Sequence, residues 1–249
     1  MFGEAAPQIA LDARAAQLIS ALSTQQSFVC TDHLQARRRY RASRQQLAWP
    51  CEMVGEAVDL LIEEPGVPRL RLFRPLESRP RQSLQTLIYL HGGGWTVGDL
   101  SVYEPLCRKL ANLLPANIIW VEYRLAPEHP FPAPLEDTLT AISWIFRHAR
   151  KLAIDDTRIG LAGDSAGANL AAVAALVNRG ESLRELAQGY LLTRSTYRWY
   201  LDNYLDGADP LHWRLSPLRS TTFRDCCRLS SFTPVTIRCM TKQSTMPVS

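Results

Sequence analysis

Apolar positions near the start of the chain recur at helical spacing. Ile9, Ala13, Leu18, Ala21 and Leu22 fall on one face, and a more polar stretch from Leu34 to Leu47 keeps the same period. The pattern predicts a helical cap over residues 1–50. From residue 57 the texture changes to short runs rich in β-branched and aromatic residues: Val58 to Glu63, Leu70 to Phe73, Thr86 to Leu90, Asn117 to Tyr123 and Arg158 to Ala162. Helical stretches separate the later runs, at Glu104 to Leu114 and Leu135 to His148. Strands first and strand-helix-strand units afterwards predict an α/β fold whose sheet is mostly parallel and flanked by helices. Between Glu63 and Arg81 the turn formers Pro65, Gly66, Pro68, Pro75 and Pro80 predict a hairpin joining the first two strands.

A length of 249 residues with 46% apolar composition suits one α/β domain with a substantial core. The longest apolar runs, such as Ile118 to Val121 and Ala171 to Val177, fall short of the roughly 20 residues a membrane-spanning helix needs. The start, Met1-Phe2-Gly3-Glu4 and soon Asp12 and Arg14, has no basic segment followed by an unbroken apolar core, which predicts a cytoplasmic protein. Six cysteines (Cys30, Cys51, Cys107, Cys226, Cys227 and Cys239) form no C-x-x-C pair and no repeated spacing, so neither a zinc site nor a disulfide framework is expected.

The formal charge of +4 suggests an anionic partner until its distribution is followed. From Arg214 onward six basic residues face Asp225 alone, a local +5 that leaves the preceding body at −1. In the cap, Arg37, Arg38, Arg39, Arg41 and Arg44 crowd together. Such a run can meet phosphate or acidic lipid headgroups, and a solvated helix face is the simpler expectation.

Chemistry enters at Gly163-Asp164-Ser165-Ala166-Gly167, which follows the apolar run Ile159 to Ala162 and precedes the helix-forming stretch Asn169 to Val177. A G-x-S-x-G nucleophile elbow requires this order of strand, tight turn and helix. The turn strains the serine backbone, and side chains two residues either side would collide with the neighbouring strand and helix. Ser165 is the candidate nucleophile, placed where the helix dipole favours developing negative charge. A second motif, His91-Gly92-Gly93-Gly94-Trp95, follows the run Thr86 to Leu90. Its glycines let backbone N–H groups approach a substrate oxygen, so those of Gly93 and Gly94, with that of Ala166, are candidate oxyanion donors. A phosphate-binding loop is the competing reading, but the Lys-Ser/Thr that should follow is missing.

Together with Tyr123-Arg124-Leu125-Ala126-Pro127-Glu128 and Pro130-Phe131-Pro132-Ala133, these motifs make the chain, over about residues 8 to 180, similar to the hormone-sensitive-lipase-like group of α/β-hydrolases. The resemblance implies a serine carboxylesterase or lipase with no metal or cofactor. Its partner would be a small-molecule ester rather than nucleic acid, with no stable membrane anchor, and full-length members would pair as homodimers. It places Ser165 as nucleophile and Gly93, Gly94 and Ala166 as oxyanion donors. His91, Gly92, Trp95, Gly163, Asp164 and Gly167 become structural members of the motifs.

Two departures follow. A triad needs a histidine to take the Ser165 proton and an acid to orient it, both later in the chain. His212 is the one histidine after Ser165, and it sits in a string resembling the family's segment before its acid, so it is expected at the surface. No catalytic acid or histidine is identified. After the nucleophile helix the chain runs from Asn178-Arg179-Gly180 into a polar helical pattern over Glu181 to Leu192, where the family has another parallel strand. The Ser165 strand should therefore stand at a sheet edge.

The second departure begins near Arg224, where Asp225-Cys226-Cys227-Arg228 opens a stretch of foreign composition. A shifted reading frame with synonymous codons can yield Gly-Leu-Leu-Pro-Pro-Val-Phe-Ile-His-Thr-Gly-Asp-Asp-Pro-Leu-Tyr-Asp-Glu-Ala, which resembles the family's strand and acid motif. The sequence thus divides into a cap at 1–50, an incomplete hydrolase domain at 51–224 and an aberrant tail at 225–249 expected to lack order. Three readings stay open: an ester hydrolase, a non-catalytic ligand-binding relative, and a non-functional fragment.

Overall fold

The computed structural model describes residues 12–14, 17, 32–177, 194–209 and 211–216. The tail at 225–249 and the polar stretch at 181–192 lie outside them, as do Cys30, Cys226, Cys227 and Cys239; Cys51 is an exposed thiol and Cys107 a buried one.

The sheet is built from β1 (Glu56–Asp59), β2 (Arg69–Arg74), β3 (Leu84–Leu90), β4 (Asn117–Glu122) and β5 (Ile154–Gly163), in the order β1-β2-β4-β3-β5. β3 pairs in parallel with β4 and with β5, while β2 is antiparallel to both β1 and β4. The expected parallel core is therefore the three later strands, and the hairpin β1–β2 adds an antiparallel margin. β1 begins two residues before its expected start and ends at Asp59, four residues early. β5 begins at Ile154 rather than Arg158.

Alternation along the strands explains why helices cover both faces. Ile88 and Leu90 of β3, with Ile119 and Val121 of β4, join one core; Leu87 and Tyr89, with Ile118 and Trp120, join the other. Helix α2 (Leu100–Leu113) closes the second core with Tyr103, Cys107, Leu110 and Ala111, spaced to share one stripe. Its start is fixed by Asp99, whose carboxylate accepts the Ser101 N–H at 2.9 Å. Helices α3 (Ala133–His148) and α4 (Ala166–Val177) cover the first core, α3 through Leu135, Ala141, Ile142 and Ile145. Helix α4 is apolar nearly all round and is correspondingly buried from Ala166 to Ala174 except at Asn169.

The chain leaves β3 through α2 to reach β4 on one side, then returns through α3 to place β5 on the other. The carboxyl ends of β3 and β5 are thus neighbours at a reversal of winding, where open α/β sheets hold their ligands. Among the described residues β5 has β3 on one side and no strand on the other.

Helix α1 (His33–Gln45) lies in the cap. Asp32 caps it, accepting from Leu34 N–H at 2.9 Å and Gln35 N–H at 3.2 Å. Its buried residues Ala36 and Tyr40 are one turn apart and pack with Val97 and with Tyr200 of α5 (Arg194–Leu205). Among the described residues no helix is long and apolar enough to cross a membrane.

Candidate active site

Ser165 stands in the single turn between β5 and α4, exposed, with φ at +51°. A β-carbon-bearing residue adopts that left-handed conformation only when its surroundings hold it there. Its carbonyl accepts the Asn169 N–H at 3.1 Å, so the serine is the residue from which α4 starts. The flanking residues show what holds the turn. A Cβ on Gly167 would lie 1.9 Å from the Leu90 carbonyl oxygen and 2.6 Å from that of His91. At Gly163 it would meet the Leu90 oxygen at 2.5 Å. The collision thus comes from the end of β3, against which the elbow is pressed.

The residues after β3 form the facing loop. Gly93 and Gly94 have φ of +116° and +56°, and Trp95 follows at +55°. The Gly93 carbonyl accepts from Thr96 N–H and Val97 N–H at 3.1 and 2.9 Å, which curls the loop back on itself. Among the described residues the N–H groups of Gly93, Gly94 and Ala166 have no protein acceptor. Helix α5 closes over the loop: the Tyr200 ring lies so near Gly94 that a Cβ there would come within 1.9 Å of its Cδ1. Tyr204 stacks on Trp95 with ring centres 4.1 Å apart, and its carbonyl accepts the Phe131 N–H at 2.8 Å.

Asp164 ties the two motifs together. One carboxylate oxygen accepts from Gly92 N–H and from Tyr89 O–H, both at 2.9 Å, and the other accepts from Tyr103 O–H at 3.2 Å. Tyr103 in turn meets Tyr40 of the cap, hydroxyl to hydroxyl, at 3.4 Å. Burial pushes the Tyr89 and Tyr103 phenols well above their ordinary pKa, with the Asp164 charge adding to it, so both remain O–H donors.

His91 is buried under the loop, stacked on Tyr123 at 4.3 Å, with Nδ1 2.7 Å from the Gly92 carbonyl. Burial lowers its pKa, which keeps the ring neutral. The other described histidines are engaged elsewhere or exposed. His33 meets Glu128 at 3.0 Å, His148 stacks on Trp144, His129 is exposed, and His212 is exposed beside Trp213. Among the described residues none hydrogen-bonds to Ser165.

Within the arginine run Arg38 and Arg41 are exposed as expected, and Arg37 departs from the solvated face. Arg37 turns inward and forms two 2.7 Å bonds to the Glu128 carboxylate. It also donates to the carbonyls of Thr96 at 2.8 Å and Ala126 at 3.0 Å. Arg41 pairs with Asp99 at 2.8 Å. The physical reason is that two chain segments present acceptors to Arg37, and a planar guanidinium can serve several of them together. Arg37 thereby fastens the cap to the glycine loop and to the Tyr123–Glu128 segment. A similar pair, Arg124 to the buried Asp137 at 2.7 Å, anchors the far side of that segment on α3.

Arg37 also sets a pH dependence. Its hydrogen bonds hold the Glu128 carboxyl at about 2, against an ordinary 4.5. A depressed carboxyl contributes stability that is present above its unfolded value and is lost as pH falls through the folded one. Wild type should therefore lose stability between pH 4.5 and about 2 more steeply than Arg37→Met, in which Glu128 returns toward its ordinary value. Urea midpoints of both proteins at pH 6, 4 and 3 measure this, and parallel lines would show that the pair carries no linkage.

The alpha/beta hydrolase fold model matches residues 87–187, which hold both motifs. Esterase LipI of Mycobacterium tuberculosis is 42% identical over 119 residues, 47% of this chain. Carboxylesterase NlhH of the same organism is 40% identical over 146 residues, 56% of this chain. The chain spans 37% and 44% of the lengths of these two relatives. A solved hyperthermophilic esterase from the archaeon Pyrobaculum calidifontis shares 31% identity with a TM-score of 0.73, over 85% of this chain and 76% of that one. A serine turn at the end of a parallel strand, pressed on a glycine loop from the adjacent strand, defines an α/β-hydrolase. Within that class the chain belongs to the hormone-sensitive-lipase-like family.

Proposed function

We propose that this chain carries the nucleophile and oxyanion side of a serine carboxylesterase acting on esters of small or medium acyl groups. The observation that carries the reading is Ser165 itself: exposed, left-handed at φ +51°, at the N-terminus of α4 and wedged against the carboxyl end of β3. In this reading Ser165 Oγ gives up its proton to a base and attacks the ester carbonyl carbon. The carbonyl oxygen takes the developing charge, and the N–H groups of Gly93, Gly94 and Ala166 donate to it. Collapse expels the alcohol and leaves an acyl-serine, which water then hydrolyses. Each donor contributes on the order of 3 kcal/mol to the barrier reduction, because the charge it meets exists only in the tetrahedral state.

His91 supports the loop rather than serving as the base, since burial and its bond to Gly92 fix it beneath the glycines. In a second reading the same site holds an ester-like ligand without turnover. A fluorophosphonate probe separates the two. Labelling of the full chain at Ser165, abolished in Ser165→Ala, supports hydrolysis. Absence of labelling in a chain that melts cooperatively sinks hydrolysis and leaves ligand holding. The expected setting is cytoplasmic, with no metal or cofactor taking part.

A further inference from the structure

At the end of the sheet remote from Ser165, a groove of about 860 Å³ is lined by Arg81, Ser83, Arg147, Arg150, Lys151 and Asp156 among others. Its two walls are the loop entering β3 and the turn entering β5, held side by side by the Leu84 N–H donating to the Ala153 carbonyl at 3.2 Å. Ser165 follows the other end of β5, a ten-residue strand, which places the groove about 30 Å from it at ~3.3 Å per residue.

Four cations face this groove against the carboxylate of Asp156. Arg147 is accounted for, since it bonds Glu64 at 2.9 Å and complements the carboxyl end of α3. Among the described residues Arg81, Arg150 and Lys151 have no carboxylate partner. A fifth cation lies behind the walls. Arg74 is buried, and it donates to the carbonyls of Gln82 and Leu152, residues adjacent to Arg81 and Lys151. Its nearest carboxylate, Glu56, is 3.9 Å away and half exposed, and burial lowers the Arg74 pKa from its ordinary value. A buried cation so weakly compensated is costly unless negative charge is supplied nearby. Drawing the two basic walls together over it concentrates positive potential in a concave site.

We propose that this groove binds a phosphate-bearing anion, held by Arg81, Arg150 and Lys151 over the buried Arg74, at a site separate from the serine site. Forked guanidinium donors and a mobile ammonium suit phosphate oxygens. Because the groove and Ser165 are at opposite ends of the strands, an anion bound there leaves the serine accessible.

The test uses the full chain with two probes: inorganic tripolyphosphate by titration calorimetry, and vesicles of phosphatidylglycerol and phosphatidylcholine by cosedimentation. Both are repeated with R81Q/K151Q and with R38Q/R39Q, a control that removes the same two charges from the cap. Melting curves check that each variant folds. The expected result is saturable binding that weakens with salt, falls at least tenfold in R81Q/K151Q and stays unchanged in R38Q/R39Q. Tripolyphosphate binding identifies a soluble ligand, and vesicle binding alone identifies a lipid headgroup. Absence of binding to either probe, or equal losses in R81Q/K151Q and R38Q/R39Q, overturns the proposal.

Discussion

Gly167→Ala is expected to destabilise the protein by on the order of 3 kcal/mol or more. Helix propensity alone predicts the opposite sign. Gly167 lies in the first turn of α4, and alanine in a helix is favoured over glycine by about 1 kcal/mol. The difference is the neighbour: the new Cβ would stand 1.9 Å from the Leu90 carbonyl oxygen, 2.5 Å from its carbon and 2.6 Å from the His91 oxygen. These are backbone atoms, and Leu90 is hydrogen-bonded into the sheet opposite Gly163, so neither side can step back without breaking the β3–β5 pairing. Denaturant melts measure the loss. Trimming Leu90 to alanine in the same background should give no rescue, because its side chain is not the obstacle; a rescue would reassign the cost to side-chain overpacking.

The same contact shows which parts of this molecule could be read in one dimension. Residues 163–167 were legible because the elbow needs its glycines and serine contiguous, and β3 and β4 because strands buried on both faces read as unbroken apolar runs. The first half of β5 is hidden because residues near its start are polar. Asp155, Asp156 and Thr157 hide a strand that resumes its register only after an irregularity between Leu84 and Thr86. Leu60, Leu61 and Ile62 pull the expected β1 toward the wrong end, yet Leu61 is 82% exposed and the pairing with β2 stops at Asp59. Arg37 escapes the sequence pattern for a different reason. Charge signals solvent unless a partner is known, and the partner of Arg37 is 91 positions away. Tyr200 and Tyr204, which cover Gly94 and Trp95, offered only the spacing of one helical turn.

Asp164 is the residue on which that hidden connectivity converges, and the predicted effects of replacing it divide sharply by chemistry. Asp164→Ala removes the acceptor for Gly92 N–H and Tyr89 O–H together, two donors at 2.9 Å in a largely buried setting. Each orphaned donor costs about 1–3 kcal/mol, so the substitution is expected to cost about 3 kcal/mol and to free the start of the glycine loop. Tyr103 is less affected, since the Tyr40 hydroxyl lies 3.4 Å away and offers a second partner. Asp164→Asn should be mild, under about 1.5 kcal/mol, because its amide oxygen keeps both 2.9 Å donors and its amide nitrogen can donate to the Tyr103 hydroxyl. Amide hydrogen exchange adds a readout independent of turnover. Gly92 protection should collapse in Asp164→Ala and persist in Asp164→Asn, whereas equal loss in both would mean that the negative charge, rather than the acceptor geometry, holds the elbow to the loop.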